Sequence, residues 1–385
     1  MSTDECPISW WAAALLAALV VLGGFHVEGA QVGTAEGTPR SVVLNTPAAA
    51  SPTLAREAPS KGPRITLVDT LLLSEELRWA FDLRWKGDGS LLLAAGTRGV
   101  VEIDRKGVVQ ATPISGGSGR RQLWMATRVG VSDQLLVAAA PAMSAAFLRS
   151  GRQGTVELRD YAAVLDVDVR EDTALILGAR RDSTGRWSPD GAMAWVDDGR
   201  GTSRPVHFSE AGPRSDIVSW AGSLDLGAVR FMDDGSFVVV PGVEGGVFRY
   251  SPEGRLLQTW QSLSLGIAGG CSLDPEQRRE VAASMEPRWR YWNQHLIVDD
   301  VVSWRGAPAL LVRRPMRDRT EWELRVLGEG ASARTVRLPV SSTSNRTRAR
   351  MDLHGPQVAV LLHESGHLGV TPEFAPRILF LEVEP

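Results

Sequence analysis

His363-Glu364-Ser365-Gly366-His367 carries the H-E-x-x-H spacing that lets two imidazoles hold one zinc ion while a glutamate activates water. That chemistry needs a helix, in which residues four apart lie on one face about 6 Å apart along the axis. In an extended strand the same residues stand roughly 13 Å apart and cannot share a metal. The flanks, Gln357 to Leu362 before and Leu368 to Pro372 after, are β-prone, and a glycine sits inside the motif. They predict a strand followed by a hairpin turn at Glu364-Ser365-Gly366, so a zinc site at His363 and His367 is the disfavoured reading. A third carboxylate ligand could come only from Glu382 or Glu384, on a further expected strand.

A second set of residues is acidic. Asp82, Asp166, Asp225, Asp300 and Asp352 each stand near the start of a predicted inner strand, as in Phe81-Asp82-Leu83 and Leu165-Asp166-Val167. If those strands converge, Asp82, Asp166 and Asp225 become candidate ligands for a divalent cation such as calcium, because hard cations take carboxylate oxygens. Such a site suits a metal-dependent hydrolase or lactonase. The competing expectation is that these acids accept backbone N–H groups and water.

Thirteen tryptophans form the third signal. At strand positions they are expected to fill space between sheets. Trp187, in the turn-rich run from Asp182 to Asp190, and Trp289 with Trp292 are instead the candidate platform for a sugar ring or a protein partner, with packing of a helical insertion as the alternative role of the run Trp289-Arg290-Tyr291-Trp292. The chain carries no G-x-S-x-G elbow, no P-loop, no G-x-G-x-x-G loop and no complete calcium loop.

Composition narrows the classes further. Forty-two Lys and Arg against 45 Asp and Glu give a net charge of -3, which supplies no field for a polyanion and excludes nucleic acid as the expected partner. Cys6 and Cys271 are too isolated for a disulfide framework or a zinc cluster. Ile8 to Phe25 is one apolar run with no Lys or Arg before Arg40. Residues 1–26 therefore read as a signal peptide or an uncleaved membrane anchor, with the run 8–25 as the membrane contact, and the chain is expected outside the cytoplasm: periplasmic, cell-surface or secreted. Residues 27–63, rich in Gly, Thr, Ala, Ser and Pro without apolar periodicity, read as a flexible linker.

The elements that must position these side chains recur along residues 64–385. In the clearest copy, Ala80 to Trp85 alternates, Gly87-Asp88-Gly89 turns, and Ser90 to Ala95 runs apolar. Met232-Asp233-Asp234-Gly235-Ser236-Phe237 echoes it. Six strand-rich units follow one another, and the last has only three clear strands. Arg64 to Leu72 precedes the first unit without a partner there, so it is expected to supply the missing outer strand and close a ring. One helix, from the cap at Asp274 through Pro275 to about Met285, should interrupt the β pattern between the fourth and fifth units.

The turn motifs Gly87-Asp88-Gly89 and Asp233-Asp234-Gly235-Ser236, with the pairs Ser188-Pro189 and Ser251-Pro252, make residues 64–385 resemble the NHL-, YVTN- and WD-type propellers. No Trp-Asp dipeptide closes the units. The resemblance implies an all-β fold, a single six-bladed β-propeller with a short helical insertion, and no substrate. The functional expectation is an exported or membrane-tethered binding or scaffold module for a protein or glycan. The alternative is the divalent-metal hydrolase or lactonase, and behind it stands the zinc peptidase.

Overall fold

The computed structural model describes residues 64–385 except 117–124, 140–144, 150–151, 157–160, 182–186, 198–202, 207–211, 214–217, 219, 221–223, 225, 243–245, 262–264, 266–272, 274, 329–332, 345, 365–373 and 384–385. The expected signal or anchor segment, the linker, Asp225 and His367 lie outside the described residues, as does the side chain of Trp187.

Twenty-four strands, numbered in chain order from β1 (Ile65–Leu72), make six four-stranded antiparallel sheets among the described residues. Five of the sheets are consecutive meanders: β2–β5 over 82–115, β6–β9 over 128–156, β10–β13 over 161–206, β14–β17 over 228–260 and β18–β21 over 297–342. The sixth has the order β1-β24-β23-β22 and joins β22 (Thr347–His354), β23 (Gln357–Glu364) and β24 (Arg377–Val383) to the first strand. The arrangement is a β-propeller. Closure runs through the β1–β24 pair, from Ile65 opposite Val383 to Leu72 opposite Arg377, so the N-terminal strand does supply the missing outer strand. It covers an edge of β24 that would otherwise template other chains.

Local chemistry sets the hairpins. At Lys86–Ser90, Gly89 sits at φ +82°, and the Asp88 carboxylate accepts the Ser90 N–H at 2.9 Å and its hydroxyl at 2.7 Å. Asp234, Gly235 and Ser236 repeat the device at 3.0 and 2.6 Å, with Gly235 at φ +84°. A side chain at either glycine would be forced into the left-handed region, while the short acid fixes the turn by bonding the backbone two residues on.

The core lies between neighbouring sheets. Leu83, Trp85 and Leu93 of the first sheet pack on Leu361, Ile378 and Phe380 of the last. Trp304 and Trp322 lie in a second cluster with Met351, Val360 and Leu379, which gives strand tryptophans the space-filling role expected of them. Central strands such as Leu91–Ala94 are buried at every position, as a strand covered on both faces must be.

The helical insertion is longer than the sequence predicts. Besides α1 (Pro275–Ala283), a second helix, α2 (Met285–Gln294), follows with Ser284 as its N-cap residue. The aromatic run Trp289-Arg290-Tyr291-Trp292 is therefore helical, and buries Trp289, Tyr291 and Trp292. Local propensity does not announce this, because aromatic residues are middling helix formers whose state is decided by what they pack against.

Candidate functional site: the charged channel

The six inner strands are β2 (Asp82–Trp85), β6 (Arg128–Val131), β10 (Tyr161–Arg170), β14 (Ala228–Phe231), β18 (Ile297–Trp304) and β22. Period-2 alternation puts residues two apart on one face. That places Asp82 with Arg84, Asp166 with Asp168, and Arg350 with Asp352 on common faces. In β10 the register shifts between Val164 and Asp166, and in β18 between Val298 and Asp300. A β-bulge directly before each aspartate re-aims the carboxylate.

Each of these acids is tied to the next sheet by the same contact. Asp82 Oδ2 accepts the N–H of Val129 at 3.0 Å, and Asp166 Oδ2 that of Val229 at 2.9 Å. Asp168 Oδ2 accepts the Phe231 N–H at 2.7 Å, Asp300 Oδ2 that of Met351 at 2.9 Å, and Asp352 Oδ2 that of Trp85 at 2.8 Å. Guanidinium groups fill the remaining space. Arg84 Nη1 donates to Asp82 Oδ1 at 3.0 Å, Arg230 Nη1 lies 3.3 Å from Asp168 and 3.5 Å from Asp352, and Arg350 Nη1 lies 3.6 Å from Asp300 and 4.0 Å from Asp166. Arg128 and Arg230 also hold carbonyls across sheet boundaries, at Leu165 and Val301.

Among the described residues the buried inner-strand charges balance, with five carboxylates (Asp82, Asp166, Asp168, Asp299, Asp300) and five guanidiniums (Arg84, Arg128, Arg230, Arg348, Arg350), while Asp352 and Arg170 are half-buried. Asp166 stands out among the carboxylates. Its Oδ1 accepts no hydrogen bond, and its nearest cations stand 3.8 and 4.0 Å away. Burial pushes its carboxyl up to about 6; Asp300 and Asp82 add to that, while Arg350 and Arg84 oppose it. Burial also raises Asp352 against the pull of Arg230 and Arg84. For Asp300 burial works in the same direction, but Arg350, Arg84, Arg230 and the Met351 amide outweigh it and lower the carboxyl. Burial works to lower the Arg84 guanidinium, but Asp82, Asp300, Asp352 and Asp166 prevail and raise it.

Of the sequence-predicted cation ligands, Asp82 and Asp166 are thus brought to the channel with their oxygens already facing amides and guanidiniums. The arginines are the part that sequence reasoning missed. Their signal was present in the alternation Asp82-Leu83-Arg84 and Arg350-Met351-Asp352, a charge of opposite sign on the same strand face. Among the described residues no group of three His, Cys, Asp or Glu is arranged to hold a metal ion.

A second polar cluster lies under the helical insertion. Arg313 is fully buried and donates to the carbonyl of Trp292, to Asn293 Oδ1 at 2.8 Å, to Thr320 Oγ1 at 3.1 Å and to the Thr347 carbonyl at 3.3 Å. Burial lowers its pKa to about 10, with Arg348 adding and Asp299 opposing. It binds the end of α2, where a cation complements the helix dipole. The Arg346 guanidinium stacks 3.9 Å from the Trp289 ring centroid, and Arg348 stands 5.0 Å from that of Trp292. Trp289 and Trp292, expected as an exposed platform, are 9 and 0 % exposed and seat the insertion on the ring instead. The reason is that charged stems from β22 and its approach cover both rings.

His363 and Glu364 end β23, where the backbone is extended. His363 is buried, its Nδ1 3.2 Å from the Glu364 carbonyl and its ring edge-on to Phe81 at 5.9 Å. Glu364 accepts the Ser344 hydroxyl at 3.1 Å. The helix that would bring a histidine at i+4 to the same metal is absent at these two residues.

No known protein family matches the chain, and no curated protein does. Solved structures do resemble it. A virginiamycin B lyase from Staphylococcus aureus is 8 % identical, with a TM-score of 0.47 over 83 % of this chain and 99 % of that one. A PQQ-bound aldose sugar dehydrogenase from Streptomyces coelicolor is 12 % identical, TM-score 0.48, over 85 and 100 %. A gluconolactonase from Xanthomonas campestris is 13 % identical, TM-score 0.47, over 84 and 95 %. At such identities these likenesses assign neither a reaction nor a ligand.

Proposed function

We propose that the protein is an exported or membrane-tethered propeller that works as a binding module for a protein or glycan partner. The observation that supports this reading is the occupancy of the channel carboxylates. Asp82, Asp166, Asp300 and Asp352 each give one oxygen to a backbone amide of the neighbouring sheet and share guanidiniums, so half of the oxygens a hard cation would draw on are engaged in holding the ring together and like-charged groups crowd the rest.

The test uses the full chain purified without chelator. Elemental analysis should find no stoichiometric divalent ion, and added calcium should leave the melting temperature unchanged. A stoichiometric ion that disappears in Asp82→Asn and Asp166→Asn overturns this reading in favour of the metal-dependent hydrolase or lactonase. The binding arm is a glycan array together with crosslinking in the producing cells. Saturable binding to one glycan class or one protein supports the proposal, and its absence from both arms sinks it. Cell fractionation should recover the chain outside the cytoplasm.

A further inference from the structure

The outer strands of the fifth sheet carry an irregularity that the channel does not explain. Between β20 (Thr320–Leu327) and β21 (Ala333–Ser342), Glu321 pairs with Ser341, and the next pair along is Glu323 with Arg337. Trp322 therefore stands alone against Leu338, Pro339 and Val340. Three residues opposite one bow β21 out of the ladder, and Pro339 has no N–H to offer it.

The bow opens a cavity of about 260 Å³ that is partly open to solvent. Trp322, Leu338 and Val340, all nearly fully buried, belong to its lining, and four charged side chains line the rest: Arg314, Arg337, Glu321 and Glu323. The two acids are already committed. Glu321 is bonded by Arg319 at 2.8 and 2.7 Å, and Glu323 by Arg325 Nε at 2.8 Å. The two arginines are not. Arg314 has only a loose approach to Glu323 at 3.9 Å, and Arg337 makes no ion pair among the described residues. The uncommitted charge in the cavity is thus two guanidiniums, planar forks suited to bidentate capture of an anionic group.

We propose that this cavity binds a compact anion, a carboxylate or phosphate group carried on a small molecule, through Arg314 and Arg337 with the bulged strand as its apolar side. The site is independent of the channel and of the partner proposed above. Register explains why a cavity forms here: a regular ladder would place β21 directly over Trp322.

The test is calorimetric titration of the full chain with inorganic phosphate and with succinate at constant ionic strength, using sodium chloride as the reference. Saturable binding is expected, of the order of 1 mM or tighter, about 4 kcal/mol of binding free energy. Arg314→Ala and Arg337→Ala should each weaken it at least tenfold, and Arg337→Lys should lose less than Arg337→Ala. Lys106→Ala, which removes an exposed cation on the first sheet far from the cavity lining, should bind as the wild type does. Both positions are solvent-accessible enough for the variants to keep the wild-type melting temperature, which is measured alongside. The arm that binds at least tenfold tighter identifies phosphate or carboxylate as the preferred group, and equal binding marks a general anion site. No saturable binding of either probe overturns the proposal, as does unchanged binding in the Arg314→Ala/Arg337→Ala double variant.

Discussion

Asp352 Oδ2 accepts the backbone N–H of Trp85 at 2.8 Å, and 267 residues of sequence separate the two. The bond ties the last inner strand to the first, inside the same ring that β1 and β24 close at its outer edge. The inner and outer seams use different chemistry. The outer one is a strand ladder, and the inner one is a side chain reading an amide.

Removing the Asp352 carboxylate should therefore cost more than a surface substitution. Asp352→Ala leaves the Trp85 amide without its acceptor and Arg230 with one fewer counter-ion, which puts the expected loss at about 2–4 kcal/mol. Asp352→Asn keeps an acceptor and should lose less. Urea denaturation checks it: an Asp352→Ala variant within about 0.5 kcal/mol of wild type, the range of ordinary surface substitutions, would contradict the stitch.

The raised Asp166 carboxyl makes stability pH-dependent with a definite sign. In the folded chain it holds its proton up to about pH 6, whereas unfolded it loses it near the ordinary value of 3.8. The folded state binds the extra proton between those limits, so this group's contribution is fully present below pH 3.8 and is lost as pH rises through 6. At about 1.4 kcal/mol per pH unit the swing is roughly 2–3 kcal/mol. Comparing unfolding free energies of wild type and Asp166→Asn from pH 4 to 7 should show the wild type losing ground steadily. Parallel curves would place the proton elsewhere.

The Arg313 contacts predict local rather than global loosening. Arg313→Met should raise amide exchange across α1 and α2 while the strands of the first four sheets stay protected, because the side chain is the polar anchor between α2 and β19 (Ala307–Pro315). Lysine should not rescue it, since a point charge cannot reach the Trp292 carbonyl, Asn293 and Thr320 at once. Unchanged exchange in the helices would sink the assignment.

Closure by β1 is testable by truncation. A chain beginning at Arg64 should melt cooperatively and stay monomeric. One beginning at Leu73 exposes the edge of β24 and loses Ile65 from the core between the last two sheets, and should aggregate on heating. Light scattering distinguishes the two. Equal behaviour would mean that the ring does not depend on its first strand.

Much of the ring is legible in the residues themselves. The Asp-Gly-Ser turns, the alternating and apolar runs, and the orphaned segment at Arg64 to Leu72 are local patterns, and local patterns survive in a one-dimensional reading. The strand that reaches His363 is legible for the same reason, although it runs one residue further than expected and takes in Glu364. Trp289 and Trp292 are not, because their exposure depends on whether Arg346 and Arg348, more than fifty residues on, reach back over them. Nor is the bulge at Leu338 to Val340, which is a property of two strands in register and of neither alone.

By itself the sequence determined that strands of this kind would form, turn at short acids and glycines, and close with their first member, since propensity, period and turn chemistry act over a few residues. It also placed aspartates in the inner strands, although only Asp82 begins its strand and Asp166, Asp300 and Asp352 lie well inside theirs. Only the tertiary structure decided what those aspartates face. Five guanidiniums and the amides of neighbouring sheets meet them in a space from which water is largely excluded, so each carboxylate's proton, partner and availability to a ligand are set by charges that sequence distance scatters and the closed ring brings within 4 Å.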